Sequence, residues 1–144
     1  MATTTATITL SSSDLLSDNL SLSATMNLYK GGTTATGLDQ VNYHRLVVPT
    51  GTSFDLIEES AALTEDANYV YIVNKNTDVT DYVRIDINTE EIGRLYAGDW
   101  MWIPWNQEAQ HLSDIELVPS VATGMWVEFM AIHEGNIYPT SADS

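Results

Sequence analysis

The chain has 144 residues and a mass of 15.9 kDa, a length that favours a single domain. Twenty acidic residues against five basic ones give a net charge of −15, and such a field repels nucleic-acid phosphates and anionic lipids. Cysteine is absent, which excludes disulfides, thiolate metal sites and cysteine nucleophiles. No segment approaches the roughly 20 apolar residues that span a bilayer, and the N-terminus lacks a signal-peptide pattern. We therefore expect a chain that is made in the cytoplasm and binds neither nucleic acid nor membrane.

The first twenty residues differ in composition from the rest of the chain. They contain nine Ser or Thr and no basic residue. Such a segment cannot bury enough apolar surface to form a core element alone. We interpret residues 1–20 as an N-terminal arm or edge strand: an arm laid across another subunit by strand addition, or a loosely ordered tail. Within this segment we predict a turn or a 3₁₀ segment at residues 11–16. Ile8 and Leu10 are candidate interface residues.

Alternation of apolar and polar residues predicts a β-sandwich over residues 21–138, followed by a tail at 139–144. Residues 20–28 show the period of a half-buried strand. Residues 54–63 have an imperfect helical spacing, and a strand at 53–57 followed by a loop is the alternative. Further strands are expected at residues 41–48, 69–73, 82–87, 91–95, 99–103, 115–118 and 125–133, with 69–73 and 82–87 paired as a hairpin around a polar tip. This pattern favours an all-β, single-domain antiparallel sandwich that resembles a jelly roll.

The sequence offers no clear catalytic centre. The histidines, His44, His111 and His133, are far apart, and the clustered histidines of a cupin metal site are missing. We expect His44 on a strand surface and His133 near solvent at a strand end. Nucleophile elbows and phosphate loops are also missing, and adjacent acids are uninformative in so acidic a chain. We therefore predict no enzyme, no cofactor and no metal, with a degenerate cupin of His111 and His133 as the weakest alternative.

Calcium is a separate possibility because oxygen ligands are abundant. One candidate is the polar tip, with Asn74, Asn76, Asp78 and Asp81 within eight residues. Another is residues 86–90, which lack the glycine and the distal glutamate of an EF-hand loop. Asn and Asp are also the usual residues of β-turns, so the turn interpretation stays open beside the ion site.

Tryptophan is concentrated near residue 100. Trp100 and Trp102 share one face of a strand, Trp105 follows them, and Trp126 lies opposite in parity to the apolar residues of the last strand. A strand that is apolar on both faces has to be covered twice, once by the sandwich core and once by the arm, another layer or another subunit. These tryptophans are therefore candidate interface residues. A core role and a sugar-stacking platform are the alternatives.

The stretch from 69 to 134 resembles small structural proteins of tailed bacteriophages. The shared pattern has three parts: VYIVNKNTDVTDYV at 70–83, LYAGDWMWIP at 95–104, and a last strand of the type Val-Glu-Phe-x-x-x-x-Glu at 127–134. The resemblance implies a non-enzymatic capsid decoration (cement) protein in the virion. It also implies a jelly-roll-like sandwich, trimeric assembly, the major capsid protein as partner, and arms that reach neighbouring subunits. A ring component of the neck or tail, and a carbohydrate-binding sandwich of a receptor-binding tip, are the alternatives.

Overall fold

The computed structural model describes residues 4–15, 17–29, 32–49, 53–57, 68–105, 114–121 and 124–133. These residues form ten strands: β1 Thr4–Ser12, β2 Leu20–Leu28, β3 Gln40–Val48, β4 Phe54–Ile57, β5 Asn68–Asn74, β6 Tyr82–Ile87, β7 Glu90–Tyr96, β8 Trp100–Pro104, β9 Ile115–Pro119 and β10 Met125–His133. The part of the chain that the structure describes contains no helix long and apolar enough to cross a membrane. The strand interpretation of 53–57 is confirmed by β4, whereas residues 58–67 lie outside the described ranges.

Eight of the strands form two four-stranded antiparallel sheets. Sheet one has the order β3-β10-β5-β8, and sheet two has the order β4-β9-β6-β7. Strands that follow one another along the chain mostly alternate between the sheets, which is the strand order of a jelly roll with its two Greek keys. The predicted all-β antiparallel sandwich is confirmed.

The two sheets enclose one apolar core. Sheet one contributes side chains such as Phe129 and Ile72, and sheet two contributes side chains such as Ile85 and Leu117, all of them buried. Alternate residues of each strand point inward, so a strand with period-two alternation places its apolar set in this core. Trp105, immediately after β8, also lies in the core and is only 5% exposed.

The predicted pairing of residues 69–73 with 82–87 is wrong. β5 pairs with β10 and β8, whereas β6 pairs with β9 and β7, so the polar segment between β5 and β6 crosses from one sheet to the other. Both strands are apolar because each faces the same core from its own sheet. The crossing is held by Asn74, whose side chain donates to the Leu95 carbonyl (2.8 Å) and accepts from the Asn76 backbone (2.9 Å).

The true hairpin of this region joins β6 to β7 through Asn88 and Thr89. Both residues have left-handed φ angles, of 50° and 68°, as a two-residue type I′ turn requires. The Asn88 backbone N–H donates to the Asp114 carboxylate at 2.9 Å. Residues 86–90, considered as an ion loop from sequence, are therefore the turn of a hairpin.

β1 and β2 form a two-stranded sheet of their own, which we call the arm. All nine residues of β1 pair with all nine of β2 without a register shift, from Thr4 opposite Leu28 to Ser12 opposite Leu20. The predicted turn after β1 is present, and the Ser12 hydroxyl accepts from the Leu15 backbone N–H. β2 thus belongs to the arm and not to the sandwich, so the arm continues eight residues beyond the boundary set at residue 20. The expectation of a half-buried β2 fails, since seven of its nine residues are exposed.

Candidate interface

The outward side of sheet one carries an apolar and aromatic surface, which we call the outer face. The strand register places its side chains in three successive rows of four. From one strand to the next these rows are Arg45, Glu128, Val73 and Trp100; then Tyr43, Met130, Tyr71 and Trp102; then Val41, Ile132, Tyr69 and Pro104. Val47 and Trp126 extend the surface at the end beyond Arg45. Ordinary sandwiches alternate apolar residues inward with polar residues outward, and this sheet does not.

Much of this outer face is open to solvent. Trp100 is 53% exposed and Trp126 is 49% exposed, and the edge strand β3 adds the exposed side chains of Val41 and Tyr43. The rings are ordered against one another: Trp102 stacks on Tyr69 with centroids 5.4 Å apart, and Trp100 lies 6.2 Å from Tyr71. A contiguous apolar surface of this kind is typical of a site that binds another protein.

The only charges in these rows neutralise each other. The Arg45 guanidinium donates from Nε and Nη2 to the same oxygen of Glu128, its direct neighbour across the β3–β10 pair. The hydrogen bonds from Arg45 lower the pKa of Glu128, so the pair stays charged together and has no net charge at neutral pH. The three rows therefore carry no net charge in a chain of net charge −15, and Lys75 adds one positive charge beside Trp126 at their end.

The arm has two chemically different sides. One side carries Ala6, Ile8 and Leu10 of β1 opposite Met26, Ala24 and Leu22 of β2. The other side carries only Ser, Thr and Asn, with hydroxyl contacts such as Thr7 to Thr25 at 2.9 Å. Ile8, Leu10, Leu22 and Met26 are all 44–54% exposed. The described part of the chain therefore leaves the apolar side of the arm uncovered.

The base of the arm packs on the sandwich next to the outer face. Leu28, Leu38 and Ile132 form a small buried cluster, and Ala6, Trp102 and Met130 pack against it. The Thr4 hydroxyl donates to the Leu38 carbonyl at 2.9 Å, which anchors the first residue of β1. The arm is thus attached at one end and rises over the outer face along its length.

A cleft of about 540 Å³ lies between the arm and the outer face. Its lining on the arm side runs through residues 4–8 and 24–26, and on the sheet side it includes Tyr71, Trp100, Trp102, Met130 and Ile132. The walls are overwhelmingly apolar. The arm and the sheet therefore present two facing apolar surfaces that do not close on each other.

The candidate residues from the sequence separate into two groups. Trp100, Trp102 and Trp126 lie on the outer face, and Ile8 lines the cleft with Leu10 on the same side of the arm. Trp105 does not join them, because it is buried in the core. Sequence reasoning missed the contribution of β3, although Val41, Tyr43 and Val47 alternate on one side of that strand.

The candidate catalytic and metal residues are not brought together. His133 is 2% exposed at the end of β10, so its expected position near solvent is wrong. His44 is half-buried and stacks on Phe129 at 6.4 Å between ring centroids, facing the core and not the strand's outer surface. His111 lies outside the described residues, so the degenerate cupin remains an alternative from sequence alone.

The oxygen ligands of the predicted ion site are engaged in the fold. The Asn76 side-chain oxygen accepts from the Trp126 backbone N–H at 3.0 Å, and Asp78 accepts from the backbone and hydroxyl of Thr80. These bonds, the backbone one foremost, lower the pKa of Asp78. The segment has the hydrogen bonds of an Asx turn, as the turn interpretation predicts.

Sheet two differs from sheet one in carrying a row of carboxylates on its outward side. The register places Asp55, Glu116, Asp86 and Glu91 side by side across the four strands, and Asp86 is buried within this row, at 2% exposure. Arg84 pairs with Asp86 (2.6 Å) and Arg94 with Glu91 (2.7 Å). Ligand atoms of Asp55, Asp114 and Glu116 lie within 4.8 Å of one another, which sequence reasoning missed because the three acids meet only through the β4–β9 pairing.

No family model and no curated protein matches the sequence. Among solved structures, the chain is similar to the solution NMR structure of a de novo designed double-stranded β-helix, at 15% sequence identity and a TM-score of 0.41. The similarity covers 65% of this chain and 99% of the designed one. Function therefore has to be inferred from the surfaces of this chain.

Proposed function

We propose that this protein is a non-enzymatic structural protein of a tailed-phage virion, a decoration protein that binds the outer surface of the capsid and assembles with copies of itself as a trimer. The observation that carries the structural role is the apolar outer face, together with the uncovered apolar side of the arm. The virion and the major capsid protein as partner come from the resemblance of residues 69–134. The proposal assigns no catalytic residue and no cofactor.

An apolar face of this size favours a covered state. Burial of apolar surface contributes about 25 cal/mol per Å², and exposed aromatic patches on a monomer usually mark a protein contact. Trp and Tyr supply three of the four residues in the middle row and one in each of the other two, and these residue types are the usual energetic centres of protein interfaces. The outer face therefore suits protein assembly better than it suits a solvated surface.

In this proposal the two sheets bind different partners. The apolar outer face of sheet one joins copies of the protein, and the accessible acids of the carboxylate row, Asp55, Glu116 and Glu91, suit docking on a basic rim of the capsid lattice. Repetition of the same contact over a capsid then stabilises the shell through multivalency, even if each contact is modest. The acidic exterior also keeps the protein away from the packaged genome.

Immunogold electron microscopy tests the assignment directly. An antibody is raised against the purified chain and applied to tailed virions purified from the source of the gene. The expected result is gold distributed over the heads. Label at the neck or tail only would move the protein to the ring alternative, and virions without label would refute the virion role.

A carbohydrate-binding role has one specific observation in its favour. Trp126 is half-exposed and lines a cleft of about 220 Å³ with Arg45 and Lys75, two of the five basic residues in the chain. An exposed indole beside Lys75 and the Glu128-paired Arg45 suits an acidic sugar. Titration of the protein with sialylated or uronate-containing glycans would then quench or shift tryptophan fluorescence, and Trp126→Ala would abolish that change.

A further inference from the structure

The cleft and its walls contain more apolar surface than the described residues of one chain cover. The arm is anchored at its base by Leu28, yet Leu10 and Leu22 near its far end are more than half exposed. Across the cleft, Trp100 is also more than half exposed. A two-stranded sheet by itself is marginally stable in water and needs a further layer on its apolar side. The arm therefore requires a partner surface that its own sandwich does not supply.

Charge points to another copy of this chain as that partner. β1 and β2 contain no ionisable residue, the three rows of the outer face contain only the mutually neutralised pair of Arg45 and Glu128, and Lys75 beside Trp126 adds a single positive charge. Two chains of net charge −15 repel each other, so they approach at least cost where both surfaces are neutral. A basic foreign partner would instead gain most from the carboxylate row of sheet two.

The dimensions fit as well. Strands of nine residues are about 30 Å long at 3.3 Å per residue, so β1 and β2 match the length of β10 in the outer face. With strands about 4.8 Å apart, the arm offers about 300 Å² and the four-stranded face about 400 Å² in projection. Their sum approaches the roughly 800 Å² per partner of a standard stable interface.

We propose that a second copy of this chain occupies the cleft, with the apolar side of the arm of each copy packed on the outer face of its neighbour. The inference rests on the self-assembly within the proposed function and assigns the surfaces that carry it. A small apolar ligand in the cleft would leave Leu10, Tyr43 and Trp126 in water, whereas a neighbouring arm and sheet cover them. Tyr71, Trp100 and Trp102 then contact the arm of the neighbour.

The test compares two adjacent residues on opposite sides of β1. Leu10→Asp puts a charge on the apolar side of the arm, and Thr9→Asp puts the same charge on the hydroxyl side. Absolute mass is measured by light scattering after size exclusion for both variants and for the unmodified full-length chain. We expect the unmodified chain and Thr9→Asp to assemble, and Leu10→Asp to be monomeric with a dissociation constant raised at least 100-fold.

A second readout follows the outer face itself. Trp100, Trp102 and Trp126 should lose water on assembly, so the tryptophan emission of the unmodified chain shifts to the red on dilution. Leu10→Asp should emit at the red position at all concentrations, with an unchanged far-ultraviolet circular dichroism spectrum that shows the sandwich is folded.

Two outcomes would overturn the inference. If Leu10→Asp assembles as well as Thr9→Asp does, the chain assembles through another surface, and the proposed virion role is untouched. If the unmodified chain stays at 15.9 kDa over its whole soluble range, the cleft is closed by another partner or by the arm itself. In either case immunogold labelling of virions decides the proposed function separately.

Discussion

Glu116 lies at the centre of the carboxylate row of sheet two. Desolvation raises its pKa above the ordinary 4.5, and the negative charges of Asp114, Asp55 and Asp86 raise it further. The folded chain therefore holds this proton to a higher pH than the unfolded chain does. Between 4.5 and the raised pKa, unfolding releases a proton, so the free energy of unfolding falls as the pH rises.

Glu116→Gln should consequently stabilise the protein at pH 7, because it removes a charge that the folded state disfavours. We expect a rise in Tm of about 2–4 °C, equivalent to about 1 kcal/mol for a chain of this size. The difference in Tm between the two proteins should disappear below pH 4, where Glu116 is protonated in the folded and in the unfolded chain. Thermal unfolding at both pH values measures it, and Glu90→Gln in the exposed β6–β7 turn should change neither Tm.

Asn74 is the buried polar residue that holds the crossing between the sheets. Asn74→Ala removes a donor to the Leu95 carbonyl and an acceptor for Asn76, and leaves buried partners unpaired. We expect a loss of about 2–3 kcal/mol in the free energy of unfolding by urea denaturation. Asn19→Ala, at an exposed position before β2, is the control and should cost almost nothing. An equal cost at both positions would mean that the Asn74 bonds contribute no stability.

For single residues, the alternation in β8 and β10 predicts correctly which side chains share a face of the strand. It does not predict how deeply each side chain is buried. Trp100 and Trp102 share one face of β8 as their spacing predicts, since the two-residue period of a strand is geometric, and the structure shows that this face is the outward one. Trp105 has the same parity as Met101 and Ile103, and His133 has the same parity as Phe129, so the strand period accounts for both buried side chains. Their burial was missed because both lie at or just after the end of a strand, where an exposed position is the default expectation.

Two tryptophans near β8 allow a matched comparison: Trp100 is the first residue of the strand, and Trp105 directly follows its last residue. Trp105→Ala empties a core site and should cost about 3–5 kcal/mol. Trp100→Ala removes one exposed ring and its contact with Tyr71, and should cost about 1 kcal/mol in the monomer. Urea denaturation at concentrations too low for assembly measures both. In the light-scattering experiment, Trp100→Ala should instead have the larger effect, because only this variant weakens assembly of the folded protein.

Strand positions were predictable from sequence, but strand partners were not. The limits of β6 and β10 agree with their apolar patterns. The pairing of β5 with β6 failed because neighbouring strands in a sequence are the default partners only when a short turn joins them. Here the asparagine side chains of the β5–β6 segment form hydrogen bonds that hold the crossing between the sheets. Because an Asn-rich segment suits a hairpin tip equally well, its composition does not distinguish the two. For the same reason β2 was assigned to the sandwich: alternation shows that one side is apolar and not which surface will cover it.

The whole molecule combines a large negative charge with neutral apolar surfaces, and this sets the salt dependence of assembly. Charge repulsion between copies opposes contact at low ionic strength and is screened as the Debye length falls from about 20 Å to about 4 Å. We expect the dissociation constant to fall roughly tenfold between 0.02 and 0.5 M NaCl, as measured by light scattering. A partner that docks on the carboxylate row should show the opposite trend, with binding weakened by salt.

The uninterrupted register of the arm has a consequence for the cell that makes this protein. Among the described residues, β1 and β2 pair along their length only with each other, apart from the Leu28 carbonyl, which accepts from the Leu38 backbone N–H, and neither strand contains a proline, a charge or a bulge. Natural sheets usually protect unpaired strand edges, because they template further strands. Chains made in excess of their partners would therefore be drawn toward open-ended stacking of arms. We therefore expect thioflavin T binding and fibre formation to increase when the chain is expressed in excess of whatever covers the arm.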